Sequence, residues 1–202
     1  GNNNSVDNCN FTVNGSGQNA IWLNGGNNSI VRNCTFNSST LHAISIENGG
    51  NHLVENCTIL NSNDIGIVIR GLGNNIVKKC NILNGNHNGI GLLGNSSNNL
   101  VDSCEINNNK FAGIAFGDLD SPWSETPASN NSIRNCLVHN NDGDGIFIGE
   151  GSNGNTIFKT SVYNNNSNAS NAGVNDYQFS AIFFKGANTI IDSCYVYGNR
   201  GN

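Results

Sequence analysis

Seven cysteines, at positions 9, 34, 57, 80, 104, 136 and 194, recur along this 202-residue chain, and the side chains around them recur in step. The intervals run 25, 23, 23, 24 and 32 residues to Cys136; Ser161 then takes the next place, 25 residues on and 33 before Cys194. Three positions before each stands an apolar residue: Val6, Val31, Val54, Val77, Val101, Ile133, Phe158 and Ile191. Two positions after stands another: Phe11, Phe36, Ile59, Ile82, Ile106, Val138, Tyr163 and Val196. Further on, a small residue precedes alternating apolar ones, as in Ala43-Ile44-Ser45-Ile46, Gly66-Ile67-Val68-Ile69 and Gly145-Ile146-Phe147-Ile148. Each repeat therefore carries three short strand signals separated by Asn/Gly turns.

Such short strands cannot stand alone, but stacking each repeat on the next pairs every strand in parallel and merges the inward side chains into one core. The expected fold is all-β, a three-sided parallel β-helix of about eight coils forming a single domain over residues 1–202. A helical solenoid is excluded because no apolar spacing near 3.6 appears, and six-residue units are absent too. An ice-binding face would need a row of Thr-x-Thr, whereas only Thr35 and Thr58 align.

Asparagine clusters such as Asn2-Asn3-Asn4 and Asn107-Asn108-Asn109 acquire a role in this frame. The positions before the cysteine place are Asn8, Asn33, Asn56, Lys79, Ser103, Asn135, Thr160 and Ser193. A tight turn there suits the left-handed conformation Asn tolerates, and its amide can bond to amides of neighbouring coils, so a structural asparagine ladder is expected. Sequons such as Asn33-Cys34-Thr35 overlap that ladder, which disfavours glycosylation. The cysteines occupy one inward position per coil, about 4.8 Å apart along the axis, and so read as a stack of buried free thiols rather than converging metal ligands or disulfides.

With 11% charged residues and a formal net charge of −5, the chain has no basic surface to gather phosphates, so nucleic acid is not an expected partner. No apolar run approaches the ~20 residues of a membrane span, and membrane insertion is not expected. The chain opens on Gly1 and contains no Met, which reads as a mature or excised piece. No polar cap is visible at either end, so flanking domains or self-association through exposed ends are expected.

The pattern Asn-Asn-x-Ile/Val-x-Asn-Cys-x-Ile followed by Gly-Ile-x-Ile resembles the right-handed parallel β-helix repeats of pectate-lyase-like proteins, over essentially the whole chain. That resemblance implies the fold and an extracellular or cell-surface setting. It implies several functions, since such repeats occur in polysaccharide lyases and hydrolases, mannuronan epimerases, copper-handling maturation proteins and archaeal surface proteins. The epimerase signature Asp-Pro-His is absent around Pro122 and Pro127, and the Arg and Asp pattern of calcium-dependent pectate lyases is not recognisable, so no catalytic residue transfers by motif.

Candidate residues must therefore come from the coils themselves. Two are lengthened: between Phe116 and Cys136, with Asp118, Asp120, Trp123 and Glu125, and between Ser161 and Ile182, with Asp176, Tyr177 and Phe179. Long loops in a compact repeat usually carry function, and these would wall a cleft over the sixth coil. Asp142, Asp144, Phe147 and Glu150 are read as outward residues of that coil, with Lys110 before and Phe183 and Lys185 beyond. Aromatic faces pack on sugar rings, and paired carboxylates exchange a proton or hold a cation, so this acidic face is where a Ca²⁺ ion would bind; no other cofactor is expected. The bland reading is a polar turn, Asp142-Gly143-Asp144-Gly145, feeding a strand. A second cluster is His42, Asp64 and His87 in similar places of successive coils, with Glu47 and Arg70 at the far ends of their strands, enough for a general base and a charge-neutralising partner. Solvated surface residues are the plain alternative there, and His52 and His139 lie on other sides.

Two functions compete. One is an extracellular carbohydrate-binding or polysaccharide-active domain of lyase, hydrolase or epimerase type, with catalysis open. The other is a non-catalytic structural or adhesive module of a surface, sheath or filament protein. Copper handling is disfavoured because no surface Met or His–Cys cluster offers soft ligands.

Overall fold

A computed structural model describes residues 1–13, 17–37, 41–71, 73–117, 127–166 and 180–200. Every strand pairs in parallel with its counterpart one repeat away, generating three sheets. Sheet 1 holds eight strands, from Ser5–Asp7 to Ile190–Asp192; sheet 2 holds eight, from Asn10–Thr12 to Tyr195–Tyr197; sheet 3 holds seven, from Ile21–Asn24 to Ile182–Phe184. The chain is a parallel β-solenoid, as its periodicity requires, and no helix among the described residues is long and apolar enough to cross a membrane.

In the three-residue strands of sheets 1 and 2 only the middle side chain points inward, so Val31, Val54, Val77, Val101 and Ile133 line one wall of the core, and Phe36, Ile59, Ile82, Ile106 and Val138 the next. Sheet 3 contributes two inward rows, one running through Ile44, Ile67, Ile90, Ile114 and Ile146. Between sheets 1 and 2 the chain turns through one left-handed residue, at Asn8, Asn33, Asn56, Lys79, Ser103 and Asn135. The cysteine follows immediately. Cys34, Cys57, Cys80, Cys104 and Cys136 are buried and free, each thiol donating to the carbonyl two residues earlier, as from Cys34 to Arg32 O at 3.0 Å. The adjacent Cys80 thiol and burial push the Cys57 thiol up from its ordinary value.

The register differs from the sequence reading in one coil. Ile157 aligns with Ile133 and Val162 with Val138, so Thr160 rather than Ser161 takes the cysteine place, with Lys159 left-handed before it. Thr160 Oγ1 accepts from Cys136 N at 3.3 Å. Phe158 and Tyr163 consequently leave the inward rows. The segment Thr156-Ile157-Phe158 and its partner Ser161-Val162-Tyr163 carry apolar residues on both faces, so the alternation that normally forbids a one-residue slip is missing here.

The asparagine ladder is present, but its buried rungs lie at other corners than the one expected. The residues before the cysteines are exposed, although Asn56 does donate to Asn33 at 2.8 Å. Buried ladders seal the other two corners. Asn75, Asn99, Asn131 and Asn155 run between sheets 3 and 1; Asn109, Asn141, Asn165 and Asn199 run between sheets 2 and 3. The Oδ1 of Asn131 takes both the backbone and the side-chain N–H of Asn99, at 2.9 and 3.0 Å, while its Nδ2 donates to Ser96 O. His52 occupies the first ladder in its own coil, accepting from Ser29 N at 3.1 Å through Nδ1, and burial holds its pKa below the usual imidazole value.

These ladders satisfy backbone groups that no water reaches. Asn131→Leu, which preserves bulk but leaves the buried Asn99 backbone N–H without its acceptor, is expected to cost about 2 to 3 kcal/mol in urea unfolding. Asn33→Gly, at an exposed turn, is expected to stay within about 0.5 kcal/mol of wild type. Equal losses would contradict this assignment.

Candidate functional site

The corner between sheets 2 and 3 is where the coils differ most in chemistry. Hydrogen bonds fix its rows: Asp64 N donates to Leu41 O and Gly143 N to Phe111 O, which places Leu41, Asp64, His87, Phe111 and Gly143 at one position of successive coils. The next position along the chain carries His42, Ile65, Asn88, Ala112, Asp144 and Ser180. Because coils stack about 4.8 Å apart, polar residues at these places meet whatever their separation in sequence.

Three of the expected residues do meet. Asp64 Oδ2 lies 3.7 Å from His42 Nδ1, and Asp64 Oδ1 lies 3.8 Å from His87 Nδ1, so one carboxylate sits between two imidazoles. Asp64 is held in place by accepting from Ile65 N at 2.9 Å. The strand ladder departs from its pattern here, Ala43 N and Ile44 N both donating to Gly66 O. His42 is buried, and burial lowers its pKa; the Asp64 charge opposes that shift and the Arg70 charge adds to it, leaving a neutral imidazole at pH 7. His87 is braced from the other side by Phe111, whose ring stacks on it with centroids 4.4 Å apart. Asp64, half-buried, is the most accessible member of the cluster. At the far ends of the same strands Arg70 pairs with Glu47 at 3.5 Å, and Glu47 also accepts from Ser45 Oγ. A carboxylate between two imidazoles can relay a proton and stabilise the charged imidazole that results.

The sixth-coil reading needs correction. Phe147 does point away from the core, but it is only 2% exposed, packed with Ala112 and Ala115 and stacked on Phe183 at 5.3 Å. Beside it, Ile65, Val68 and Leu93 form a second small cluster on the outer face of sheet 3. That face is therefore an extra apolar layer, and Phe147 offers no open ring to a sugar. Asp144 is 0% exposed and its Oδ1 accepts from Ser180 N. It does what Asn88 does for Ala112 N at 2.8 Å and Asn19 for His42 N at 3.3 Å, capping the backbone of the next coil. Asp142 is half-buried at the rim, Lys110 exposed on it, and Glu150 and Lys185 lie exposed beyond the opposite strand ends. Among the described residues no three His, Cys, Asp or Glu side chains gather to hold a metal ion. Trp123 and Tyr177 fall outside the described residues. Sequence reasoning passed over Phe111, which counting back from the strand at Ile114 places on the rim, and Trp22, 56% exposed at the outer end of sheet 3.

Residues 1–122 match the family model described as the right handed beta helix region. The chain belongs to that family. Solved structures similar to this β-helix include a pectate lyase (14% identity, TM-score 0.74, 98% of this chain and 54% of the other). They also include the mannuronan C-5 epimerase A-module of Azotobacter vinelandii (12%, 0.65, 86% and 55%). A third is a tailspike protein of E. coli bacteriophage HK620 in complex with a hexasaccharide (17%, 0.64, 100% and 39%). The β-helix spans about half the length of the pectate lyase and epimerase chains. No curated protein matches its sequence.

Burial of Asp144 raises its pKa to about 6, against the opposing pull of the Ser180 N–H. The native state thus holds a proton that the unfolded chain releases at lower pH, and stability falls as pH rises from the ordinary carboxylate value of 3.8 to about 6. At pH 7 the penalty is at most about 3 kcal/mol. Asp144→Asn keeps the acceptor without the charge, so it is expected to stabilise the protein by roughly 1 to 3 kcal/mol at pH 7 and to flatten that slope. Unfolding curves collected across this pH range that superimpose for the two proteins would refute it.

Proposed function

We propose that this β-helix binds a polysaccharide outside the cell along the rim between sheets 2 and 3, and that His42, Asp64 and His87 serve there as its acid–base group. The observation that carries the proposal is the carboxylate placed within 4 Å of two imidazoles from the coils on either side. His42 supplies a neutral base at pH 7, Asp64 steadies the cation formed when an imidazole takes a proton, and His87 presents the opposite face of the pair. Arg70 and Glu47 lie along the same strands, where a guanidinium and a carboxylate serve to orient hydroxyl or carboxyl groups of a chain crossing several coils. Lys110 and Asp142 continue the rim. Support also comes from the shared architecture with a pectate lyase, an epimerase acting on mannuronan and a tailspike solved with a hexasaccharide.

A second reading, a structural or adhesive module, draws on the covered outer face of sheet 3, where Ser45, Val68, Ala115 and Phe147 are buried. One experiment separates the two. The protein is incubated with a panel of acidic and neutral polysaccharides while unsaturated-product absorbance and reducing ends are followed. Turnover that falls at least about 100-fold in Asp64→Asn and His87→Ala but persists in Asp142→Asn is expected. Binding without turnover on every substrate would favour the adhesive module, and neither binding nor turnover would refute the carbohydrate reading.

A further inference from the structure

Sheet 1 carries an ordered surface that the rim site does not use. Its outward row at the strand ends reads Asp7, Arg32, Glu55, Lys78, Asp102 and Arg134 through the first six coils, each in register with the next. The sign of the charge alternates at every step. Within the chain these residues pair two by two: Arg32 with Asp7 at 2.8 Å, Lys78 with Glu55 at 3.1 Å and Arg134 with Asp102 at 2.9 Å. Beside this row, at the first position of the same strands, runs Ser5, Ile30, Leu53, Ile76, Leu100 and Ser132. Four consecutive half-buried aliphatic side chains thus form a stripe with a hydroxyl at either end.

The two rows share a centre of symmetry. The aliphatic stripe occupies the second to fifth coils and the charges the first to sixth, so both are centred between Leu53/Glu55 and Ile76/Lys78. An alternating row of even length changes sign when reversed. A second copy laid antiparallel across a two-fold axis at that centre would set Asp7 against Arg134, Arg32 against Asp102 and Glu55 against Lys78, all of opposite sign. Lys79, 3.9 Å from Glu55, adds a cation at the centre, where it faces the partner copy's acidic residue. A parallel arrangement would oppose each charge to itself.

We propose that two copies of this chain pair antiparallel through sheet 1, the aliphatic stripe forming the contact and the alternating charges fixing register and direction. The partner is a second copy because the pattern complements its own reversal. The rim between sheets 2 and 3 is the corner opposite sheet 1, so pairing leaves both rims open to an extended chain, and a bivalent unit results. The patch is small and its charges are exposed or half-buried, so the association weakens with salt.

The test rests on rearranging charges without changing their number. Exchanging the first pair, Asp7→Arg with Arg32→Asp, preserves an intrachain ion pair and the net charge but opposes like charges at both ends of the interface. Exchanging the last pair, Asp102→Arg with Arg134→Asp, does the same. Mixed one to one, the two variants become complementary again at every position. Sedimentation velocity at low salt is expected to show a wild-type dimer, two monomeric variants and a dimer restored in the mixture, with the variants' thermal melts near wild type. A wild type that stays monomeric at every concentration overturns the proposal. So does a single variant that dimerises as the wild type does, or a mixture that stays monomeric.

Discussion

Parallel, in-register hydrogen bonding of each coil to the next is the constraint on which everything else in this molecule depends. It fixes one residue of every repeat against one residue of its neighbours, so side chains form columns along the axis: thiols at one corner, amides at two others, aliphatics between. The arrangement has a demanding corner. Backbone groups turned inward at the bends cannot reach water, and the asparagine columns satisfy them: the Oδ1 of Asn131 or Asn141 takes two donors while its Nδ2 reaches a neighbouring amide and a carbonyl. Where the column changes residue, as at His52, the same bond is made by an imidazole nitrogen that must remain neutral.

The same constraint creates the candidate site. Residues 22 and 23 positions apart in sequence, His42, Asp64 and His87, become neighbours because the coil length between them is nearly constant. The site lies at a corner outside the main core, where His42 is nonetheless buried and kept neutral by that burial. It also extends naturally along the axis, which suits a ligand that is itself a linear polymer. The alternating charges of sheet 1 use the third side of the same prism, so the faces of the solenoid divide between proposed recognition and proposed self-pairing.

How far the sequence reveals this depends on which residues repeat. The cysteine interval and the apolar pair around it disclose the fold because they recur at every coil with one meaning. Phe158 and Tyr163 misled the register because apolar residues flank both possible inward sets, and only the polar Thr160 between them, hydrogen-bonded to Cys136, settles the matter. Asp144 looked like an outward carboxylate because a residue two before the strand is apolar or small in some coils and Asn in others; its burial follows from the cap it makes to Ser180, a contact between coils. Phe147 shows the converse limit, since alternation places it correctly on the outer face but says nothing of the second apolar layer that covers it. His42, Asp64 and His87 were legible as a cluster, whereas the brace from Phe111 required the coil count to be carried one step further.

The central claim is that carbohydrate engages the rim at His42, Asp64 and His87, and the four histidines provide their own controls. His52 is sealed in an amide column, and His139 lies on sheet 2, bonded to Glu105 and stacked on Tyr163. Imidazole resonances followed by NMR during titration with a bound oligosaccharide test it directly. The account predicts that His42 and His87 shift together while His52 and His139 hold still. Saturating binding that leaves His42 and His87 unmoved, or that moves His139 in their place, would contradict it.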